Sequence, residues 1–276
     1  MIWMPQQGVQ SYLRPLRPAT LNRSSPQARG LAAFFPLNDA DLGANLVVPS
    51  QSLTPTSSPV FVAAGSPVQR AGAFLNAPYL SIATAVVTAM PLTMACWFTN
   101  SAAAAGQNTL VGIDNTTDSN LGRWGLQSQV TTSVVRARSS NGGANVEADS
   151  AVFTDAYRGQ WHLAVGVFTS STSRAAYVDG AYKGTNTTSN AGSSSPNRTV
   201  IGARYDSGAN GQFAEGNIAH VCIWNRALTD AEVWALYDPR TRWDLYAVPS
   251  RRVYFDLAAA PGGTTWPGYL SECGWN

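Results

Sequence analysis

Histidine, the side chain that most often transfers protons near neutral pH, is rare in this sequence. The chain has 2 histidines in 276 residues, His162 in "WHLAVGVF" and His220 in "NIAHVCIW". Neither lies in a Gly-x-Ser-x-Gly context, and a general base needs a partner within hydrogen-bonding reach. Both alternate with apolar residues at a period of two, which is typical of a β-strand. We therefore predict that both histidines are structural residues of strands.

The segment around His162 predicts two strands and a tight turn. The odd-numbered residues from Trp161 to Val167 share one face of the first strand. Asp179-Gly180 then lies between two β-prone segments, and this dipeptide favours a hairpin turn with positive φ at both central residues. A two-residue loop would pair Val178 with Ala181 and place Tyr177 opposite Tyr182.

Composition limits the classes of function. Only 12% of residues are charged and the net charge is +2, so nothing favours nucleic acid as a partner. The arginines are scattered along the sequence. Cys96, Cys222 and Cys273 are too widely spaced for a disulfide framework or a zinc site, and we expect Cys96 and Cys222 to be buried thiols. The first 18 residues lack the apolar segment of a signal peptide, so we expect neither ordinary export nor membrane insertion.

Short apolar segments recur about every ten residues from "GLAAFFPL" (30–37) to "EGNIAHVCIWNR" (215–226). This spacing is typical of a β-sandwich or barrel. A helical turn is predicted over 83–90. The longest helix signal is the capping box Thr229-Asp230-Ala231-Glu232, which predicts a helix of two to three turns that ends before Pro239. "RWDLYAV" and "RRVYFDL" after it have strand character.

Several of these segments together resemble a laminin-G-like domain of the concanavalin A-like lectin/glucanase superfamily. The resemblance rests on "RGLAAFFPLNDA", "LTMACWF", "GQWHLAVGVF", "AAYVDGAYKG" and "EGNIAHVCIWNRALTDAEVWALY", and it covers residues 29 to about 238. It implies an all-β fold: a jelly-roll sandwich of two antiparallel sheets, with one short helix near the C-terminal end and extended terminal arms. We divide the chain into an N-terminal arm (1–28), the sandwich (29–239) and a C-terminal strand and tail (240–276).

The flanking sequences "LNRSSPQARGL" and "LYDPRTRWDLYAVPSRRVYF" resemble those of tailed-bacteriophage proteins that carry this domain. The resemblance implies a non-enzymatic virion structural protein: a capsid decoration or cement protein, a head fibre or a tail-associated protein. Its partners would be other capsid or tail proteins, and it would form a homo-oligomer. The expected location is the virion.

Glycosidases of the same superfamily use an E-x-D-x-E triplet on one strand. Here Glu147-Ala148-Asp149 is followed by the apolar Ala151, so we expect no enzyme and no catalytic residue. Many laminin-G-like domains have an F-D-G element, and the matching positions here are Phe74, Leu75 and Asn76, so the acidic residue is missing. We expect no cofactor, and Ca²⁺ stays an alternative. Its candidate ligands are dispersed on loops: Asp39, Asp41, Asp114, Asp118 and Asp206.

A carbohydrate-binding adhesion module is the alternative function, because lectins stack aromatic rings on sugars and bind the hydroxyl groups with polar loop residues. Trp124 in "LGRWGL", and Tyr205 with Asp206 in "GARYDSGANG", are the candidate glycan-binding residues, although Trp124 also fits a core position.

The predicted arms are rich in aromatic residues for Pro/Gly-rich segments. Such side chains suit burial in a neighbouring subunit, and wrapping of the arms on their own domain is the alternative. The candidate interface residues are Trp3, Tyr12, Trp243, Tyr246, Trp266, Tyr269 and Trp275.

Overall fold

The structure is a computed structural model, and it describes residues 19–38, 43–56, 60–64, 67–75, 77–101, 104–117, 122–152, 159–206 and 209–247. These ranges contain short 3-10 turns at Pro26–Ala28 and Pro49–Gln51, one α-helix and a series of strands. The strands are β1 (Leu31–Phe35), β2 (Thr54–Thr56), β3 (Val60–Ala64), β4 (Gln69–Phe74), β5 (Tyr79–Ile82), β6 (Leu92–Asn100), β7 (Gln107–Asp114), β8 (Arg123–Gln129), β9 (Val134–Asn141), β10 (Ala144–Asp149), β11 (His162–Ser170), β12 (Ser173–Val178), β13 (Tyr182–Asn186), β14 (Arg198–Ile201), β15 (Arg204–Asp206), β16 (Ala209–Gly211) and β17 (Gly216–Trp224), and the helix is α1 (Asp230–Ala235).

Two antiparallel sheets form a sandwich, which confirms the predicted fold class. The first sheet has the order β13-β12-β11-β6-β17-β4-β3, and β1 also pairs with β17. The second sheet has the order β10-β9-β8-β7-β14-β5-β2. A two-stranded sheet, β15–β16, follows β14 in the chain. Strands that are neighbours in a sheet are often distant in sequence, as expected of a jelly roll.

Side-chain alternation explains the core between the sheets. In β6, Met94, Cys96 and Phe98 point into the core, where they pack with residues such as Leu126 and Val135 of the second sheet. Because successive strand residues point to opposite faces, Ala95 and Trp97 lie on the outer side of the first sheet. The predicted faces of the His162 strand are confirmed in the same way.

The outer side of the first sheet is apolar and covered. We call its ring cluster the aromatic layer: Phe34, Trp97, Trp224, Trp243 and Tyr246. Ring centroids are 5.2 Å apart for Phe34 and Tyr246, and 5.7 Å apart for Trp97 and Trp243. Residues 240–247 supply Trp243 and Tyr246 of this layer, and helix α1 and residues 19–28 pack against it. The protein therefore has a second apolar core on the outer side of the first sheet.

The described parts of the predicted arms pack on the sandwich. Leu21 and Tyr246 form an antiparallel bridge, the Asn22 amide donates to the Leu245 carbonyl at 2.8 Å, and the Ala247 amide donates to the Thr20 carbonyl at 2.8 Å. The boundaries predicted at residues 28 and 239 therefore do not separate these segments from the sandwich. The strand predicted for "RWDLYAV" is wrong over residues 242–247. Those residues form turns and one bridge, because Trp243, Leu245 and Tyr246 bury their side chains on the first sheet.

The hairpin after β12 differs from the prediction by one residue. Asp179 and Gly180 have positive φ as predicted, but Val178 pairs with Tyr182, so the predicted pairing of Tyr177 with Tyr182 is wrong. Asp179 explains the longer turn: its Oδ1 accepts from the Leu163 amide at 3.0 Å and its Oδ2 lies 2.7 Å from His162 Nδ1.

Helix α1 has the predicted capping box. Thr229 Oγ1 accepts from the Glu232 amide at 3.3 Å, and Glu232 Oε2 accepts from the Thr229 amide at 2.9 Å. The helix is 6 residues long, shorter than predicted, and buries Val233. The helical turn predicted over 83–90 is absent, since those described residues form bends.

Both histidines lie in strands, as predicted. His162 begins β11, and His220 lies at an irregularity of the β17–β6 register with a φ of 52°. The His220 ring is buried in the aromatic layer, and its Nδ1 lies 3.1 Å from the Tyr246 hydroxyl. Cys96 and Cys222 are buried free thiols, also as predicted, and burial raises the pKa of each.

Candidate functional site

The outer side of the second sheet is charged, unlike that of the first. Trp124, Leu126, Val135 and Ala137 of β8 and β9 point into the core, so the residues between them point outward. Strands β7, β10 and β14 add further polar residues at neighbouring register positions. We call this surface the arginine face: Asp114, Arg123, Gln127, Arg136, Arg138, Glu147, Asp149 and Arg198.

Arg136 links two carboxylates of the edge strand β10. Its Nε and Nη2 donate to Oδ1 and Oδ2 of Asp149 at 2.7 and 2.8 Å, and its Nη1 lies 2.9 Å from Glu147 Oε2. The hydrogen bond that Arg136 donates to Asp149 is the main reason why the pKa of Arg136 is raised. Asp149 is directly opposite Arg136 in the β10–β9 pair, and Glu147 is opposite Arg138. Both acids therefore neutralise neighbouring arginines.

Arg138 is 5% exposed and lies at the centre of β9. Its Nε donates to Asn145 Oδ1 at 3.1 Å, and its Nη1 donates to Gln107 Oε1 at 3.1 Å and lies 3.4 Å from Glu147 Oε1. Burial lowers the pKa of Arg138 to about 10, helped by the nearby charges of Arg204, Arg123 and Arg136 and opposed by Glu147. Arg138 therefore lies in a locally positive region.

Asp114 joins the sheet to the β15–β16 hairpin. Its Oδ2 accepts from the Tyr205 amide at 2.9 Å and from Arg198 Nη2 at 3.1 Å. Arg198 also donates to Asn210 Oδ1 at 2.7 Å, and Arg123 Nη1 donates to the Tyr205 carbonyl. Burial raises the pKa of Asp114, and Arg198, the Tyr205 amide and Arg123 oppose that rise. These contacts hold the hairpin beside the arginine face.

Gly125 leaves an unfilled space in this face. In the ladder it lies between Arg138 of β9 and Gly112 of β7. Gly125 is buried, yet a Cβ atom built on it would meet no heavy atom of the described residues within 4 Å. At Gly112, by contrast, Val200 and Asp114 already occupy the corresponding space. The described residues therefore leave a hollow with a backbone floor at Gly125 and Arg138 as a direct neighbour.

Two buried acceptors of the arginine face have no hydrogen-bond partner among the described residues. They are Asp114 Oδ1 and Gln127 Oε1, on side chains of residues that are each 1% exposed. The Gln127 amide nitrogen donates to Thr109 Oγ1 and Gln212 Oε1, both at 3.2 Å. A buried acceptor without a donor costs about 1–3 kcal/mol, which an ordered water or a ligand hydroxyl recovers.

The described residues contain no group of three or more His, Cys, Asp or Glu side chains that could hold a metal ion. Among the candidate calcium ligands, Asp114 accepts hydrogen bonds from Arg198 and from the Tyr205 amide. The side chain of Asp206 is not described, and three further candidates lie outside the described residues: Asp39, Asp41 and Asp118. Within the described ranges, no helix has the length and apolar character needed to cross a membrane.

The predicted glycan-binding residues separate into two cases. Trp124 is 1% exposed in the core between the sheets, and the chain at Gly192 covers its indole, so its prediction as a stacking residue is wrong and its core alternative holds. Tyr205 lies beside the arginine face, partly exposed, with the Arg198 guanidinium 5.6 Å from its ring centroid. Asp206 ends the same strand.

The predicted interface residues that the structure describes are not available to another subunit. Trp243 is 8% exposed and Tyr246 is 2% exposed, because both pack in the chain's own aromatic layer. The interface prediction for these two residues is therefore wrong, and the wrapped alternative holds for them. The other five predicted residues lie outside the described ranges: Trp3, Tyr12, Trp266, Tyr269 and Trp275.

Sequence reasoning missed the arginines of this face. Arg123, Arg136, Arg138 and Arg198 are dispersed in the sequence and are brought together only by strand pairing. One local signal was present: Arg136 and Arg138 alternate on β9 as Glu147 and Asp149 do on β10. Opposite charges with the same period in neighbouring strands predict cross-strand pairs.

A family of known domains matches the chain over residues 74–234, and its description is the concanavalin A-like lectin/glucanases superfamily. No curated protein matches the chain in sequence. Among solved structures, domain 4 of the extracellular GH43 arabinanase AbnA from Geobacillus stearothermophilus, solved in complex with arabinotriose, is similar at a TM-score of 0.61 and 16% identity, over 75% of this chain and 98% of that one.

Two larger proteins contain a similar domain. A Trypanosoma rangeli sialidase, solved with a difluoro-KDN ligand, aligns at a TM-score of 0.54 and 16% identity over 82% of this chain and 36% of its own. The binding domain of botulinum neurotoxin serotype G aligns at 0.53 and 12% identity over 75% of this chain and 50% of its own. At these identities the likeness shows a shared fold.

Proposed function

The chain belongs to the concanavalin A-like lectin/glucanase superfamily, and on that premise we propose that it is a non-enzymatic carbohydrate-binding module. The arginine face is its contact surface. The observation that carries the proposal is the hollow at Gly125, which has the donors of Arg138 beside it in a face that also holds the unsatisfied acceptors Asp114 Oδ1 and Gln127 Oε1. A sugar hydroxyl both donates and accepts, so it suits a surface that offers both kinds of group.

The similar structures support the same class of ligand. The arabinanase domain was solved with arabinotriose, and it matches this chain over nearly its whole length. Two partly exposed rings, those of Tyr79 and Tyr205, lie near the arginine face. The Tyr79 hydroxyl accepts a hydrogen bond from the Asn210 side chain at 2.8 Å. Aromatic rings beside polar side chains are a usual arrangement for sugar binding.

A non-enzymatic role is supported by the state of the carboxylates. General acid catalysis by a glycosidase needs a carboxyl group whose pKa is raised, next to a second carboxylate. Glu147 and Asp149 lie alternately on one strand, but Arg136 contacts both of them at 2.9 Å or less. Both carboxylates are thus held in ion pairs with an arginine, and the position that would complete the acidic triplet is the apolar Ala151.

Binding of the full chain to a broad glycan array tests this proposal. We expect binding to a defined subset of glycans and a loss of binding for Gln127→Leu, which removes both amide atoms from the face. The matched control Gln51→Leu lies in the 3-10 turn of residues 49–51, away from the face, and should bind as the parent does. Absence of binding to every glycan, or unchanged binding of the Gln127→Leu variant, would contradict the proposal.

A second candidate, which is compatible with the first, is a structural role in a phage virion. The flanking segments meet at the Leu21–Tyr246 bridge, on the outer side of the first sheet. The first and last described residues therefore lie close together, on the side of the sandwich opposite the arginine face. This geometry suits a module that other capsid or tail proteins hold at one end, as a homo-oligomer, while its binding face points outward.

Co-sedimentation with virus particles tests the second candidate. The full chain should sediment with particles of a phage that encodes it, and variants without residues 1–18 or 248–276 should not. Both deletions spare the segments that pack on the sandwich, so thermal unfolding should be unchanged. A full chain that stays in the supernatant, or two deletion variants that still sediment, would contradict docking through these segments.

A further inference from the structure

We infer that the glycan bound at the arginine face carries a carboxylate or sulfate group, and that this group lies over Gly125 beside the guanidinium of Arg138. The inference rests on the proposed function and narrows its ligand class. It concerns the position above Gly125, where no described side chain fills the space.

The shape of the hollow supports a small, compact group. Gly125 is buried, and no described heavy atom stands within 4 Å of the Cβ position above it, so the described residues leave open space there. Its φ lies outside the left-handed region, so other residues could adopt this backbone conformation. Glycine is therefore not required by the backbone here, and the absence of a side chain leaves room for a ligand atom.

Arg138 has the geometry to bind an oxyanion. Its described contacts use Nε and Nη1, and Nη2 makes no hydrogen bond with any described residue. The bond from Nε and the bonds from Nη1 fix the plane of the guanidinium. A fixed guanidinium with an available N–H group binds a carboxylate or sulfate oxygen with a charge-assisted hydrogen bond.

The electrostatic environment favours a negative ligand over a neutral one. Arg204, Arg123 and Arg136 are close enough to Arg138 to lower its pKa, and Glu147 only partly offsets them. An anion beside Arg138 would reduce this repulsion. Because Arg138 is 5% exposed, solvent screens the interaction less than at an open surface.

The same face disfavours a densely charged polymer. Glu147 and Asp149 lie on the edge strand next to Arg136 and Arg138 and would repel a chain with a phosphate at every unit. A glycan that spaces its acidic groups between hydroxyl-bearing carbons can place one charge in the hollow. It can then present hydroxyls to the remaining polar side chains.

The test compares acidic glycans with their own neutral forms. Uronate-containing and sulfated glycans are presented to the full chain beside carboxyl-reduced and desulfated versions of the same molecules, and each hit is measured by calorimetry at low and high salt. We expect at least about a tenfold loss of affinity on neutralisation, since a hydrogen bond between charged groups contributes about 1.5–3 kcal/mol. Affinity for the acidic form should fall with salt more steeply than that for the neutral form.

Two variants locate the charged group. Arg138→Gln removes the guanidinium, and Gly125→Leu fills the hollow without changing any charge. Each should lower the affinity for the acidic glycan at least about tenfold. Arg29→Gln, whose side chain is 78% exposed, and Ala181→Leu, in the exposed β12–β13 turn, are matched controls that should bind as the parent does.

The outcomes separate this inference from the proposed function. Glycans that bind equally well after neutralisation overturn the inference and leave the proposed function standing. Failure of every acidic and neutral glycan to bind overturns the proposed function and the inference with it. If Arg138→Gln unfolds the protein, the Gly125→Leu variant and the paired acidic and neutral glycans still test the inference. A Gly125→Leu variant that binds the acidic glycan as the parent does would show that the charged group does not lie over Gly125, and would overturn the inference.

Discussion

The two outer faces of the sandwich come from the same strand alternation but are covered differently. On the first sheet, Trp97 and Phe34 face a layer made by α1 and residues 19–28 and 240–247. On the second sheet, the equivalent positions of β8 and β9 carry Arg123, Arg136 and Arg138, beside the small β15–β16 hairpin. Apolar burial stabilises a fold by about 25 cal/mol per Å², whereas ion pairs contribute little after desolvation. The comparison indicates that the aromatic layer provides apolar burial, whereas the arginine face holds polar and charged groups, and for this reason we propose it as the binding face.

Removal of Trp243 should have the largest effect on stability. The ring is 8% exposed and packs against Trp97 and His220, so Trp243→Ala should lower the free energy of unfolding by about 3–5 kcal/mol. Urea denaturation measures this change. Trp234→Ala, which truncates a tryptophan that is 47% exposed on α1, should change stability by less than about 0.5 kcal/mol. Equal effects of the two variants would show that residues 240–247 do not belong to the cooperative unit.

Disruption of the arginine face should cost less. Arg136→Gln leaves Glu147 and Asp149 without their shared partner and should destabilise the fold by about 1–2 kcal/mol, less at high salt. Lys183→Gln breaks the more exposed pair with Asp230 and should cost about 0.5 kcal/mol or less. An Arg136→Gln cost as large as that of Trp243→Ala would break the division between a stabilising face and a binding face.

A single hydroxyl tests the polar contact inside the aromatic layer. Tyr246→Phe keeps the ring but removes the hydrogen bond with His220 Nδ1, which should cost about 1 kcal/mol in the thermal or chemical unfolding of the full chain. Tyr182→Phe, at a residue that is 54% exposed, is the control and should be neutral. A neutral Tyr246→Phe would mean that ring packing alone holds the C-terminal segment.

The smallest expected effect is the pH dependence of the helix cap. Arg226, followed by the amide and hydroxyl of Thr229, lowers the pKa of Glu232 to about 2. Because this pKa is lower than in the unfolded chain, the stabilisation is complete above about pH 4.5 and is lost as the pH falls towards 2. Glu232→Gln should thus cost up to about 1 kcal/mol near neutral pH and progressively less in acid. A cost that is independent of pH would assign the effect to the cap's geometry rather than to its charge.

Local patterns were sufficient for much of this fold. The period-two alternation predicted the strands around His162 and His220 and the two faces of the His162 strand, and Thr229 with Glu232 predicted the start of α1. The hairpin register was wrong because the Asp179 side chain contacts His162 and the Leu163 amide, and turn propensity does not include such contacts. The strand predicted at 242–247 was wrong because tertiary burial of Leu245 and Tyr246 outweighed local strand propensity.

The candidate site was harder to predict because its members are distant in sequence. Asp114 and Arg198 are 84 residues apart, yet their side chains are 3.1 Å apart. From the sequence, Tyr205 and Asp206 were predicted as glycan-binding residues and Asp114 was named only as a candidate calcium ligand. The open space at Gly125 has no sequence signature, because it depends on which side chains other strands place around it.

The sequence by itself determined the class of fold, since period-two alternation in many short segments predicts a sandwich or barrel, and the resemblance to laminin-G-like domains implied the jelly-roll sandwich. Only the tertiary structure decided which outer face is apolar and covered and which holds the charged residues of the candidate site. The difference between the two outer faces depends on strand order and on long-range contacts such as the Leu21–Tyr246 bridge. Such contacts form between residues whose separation along the chain leaves no local pattern.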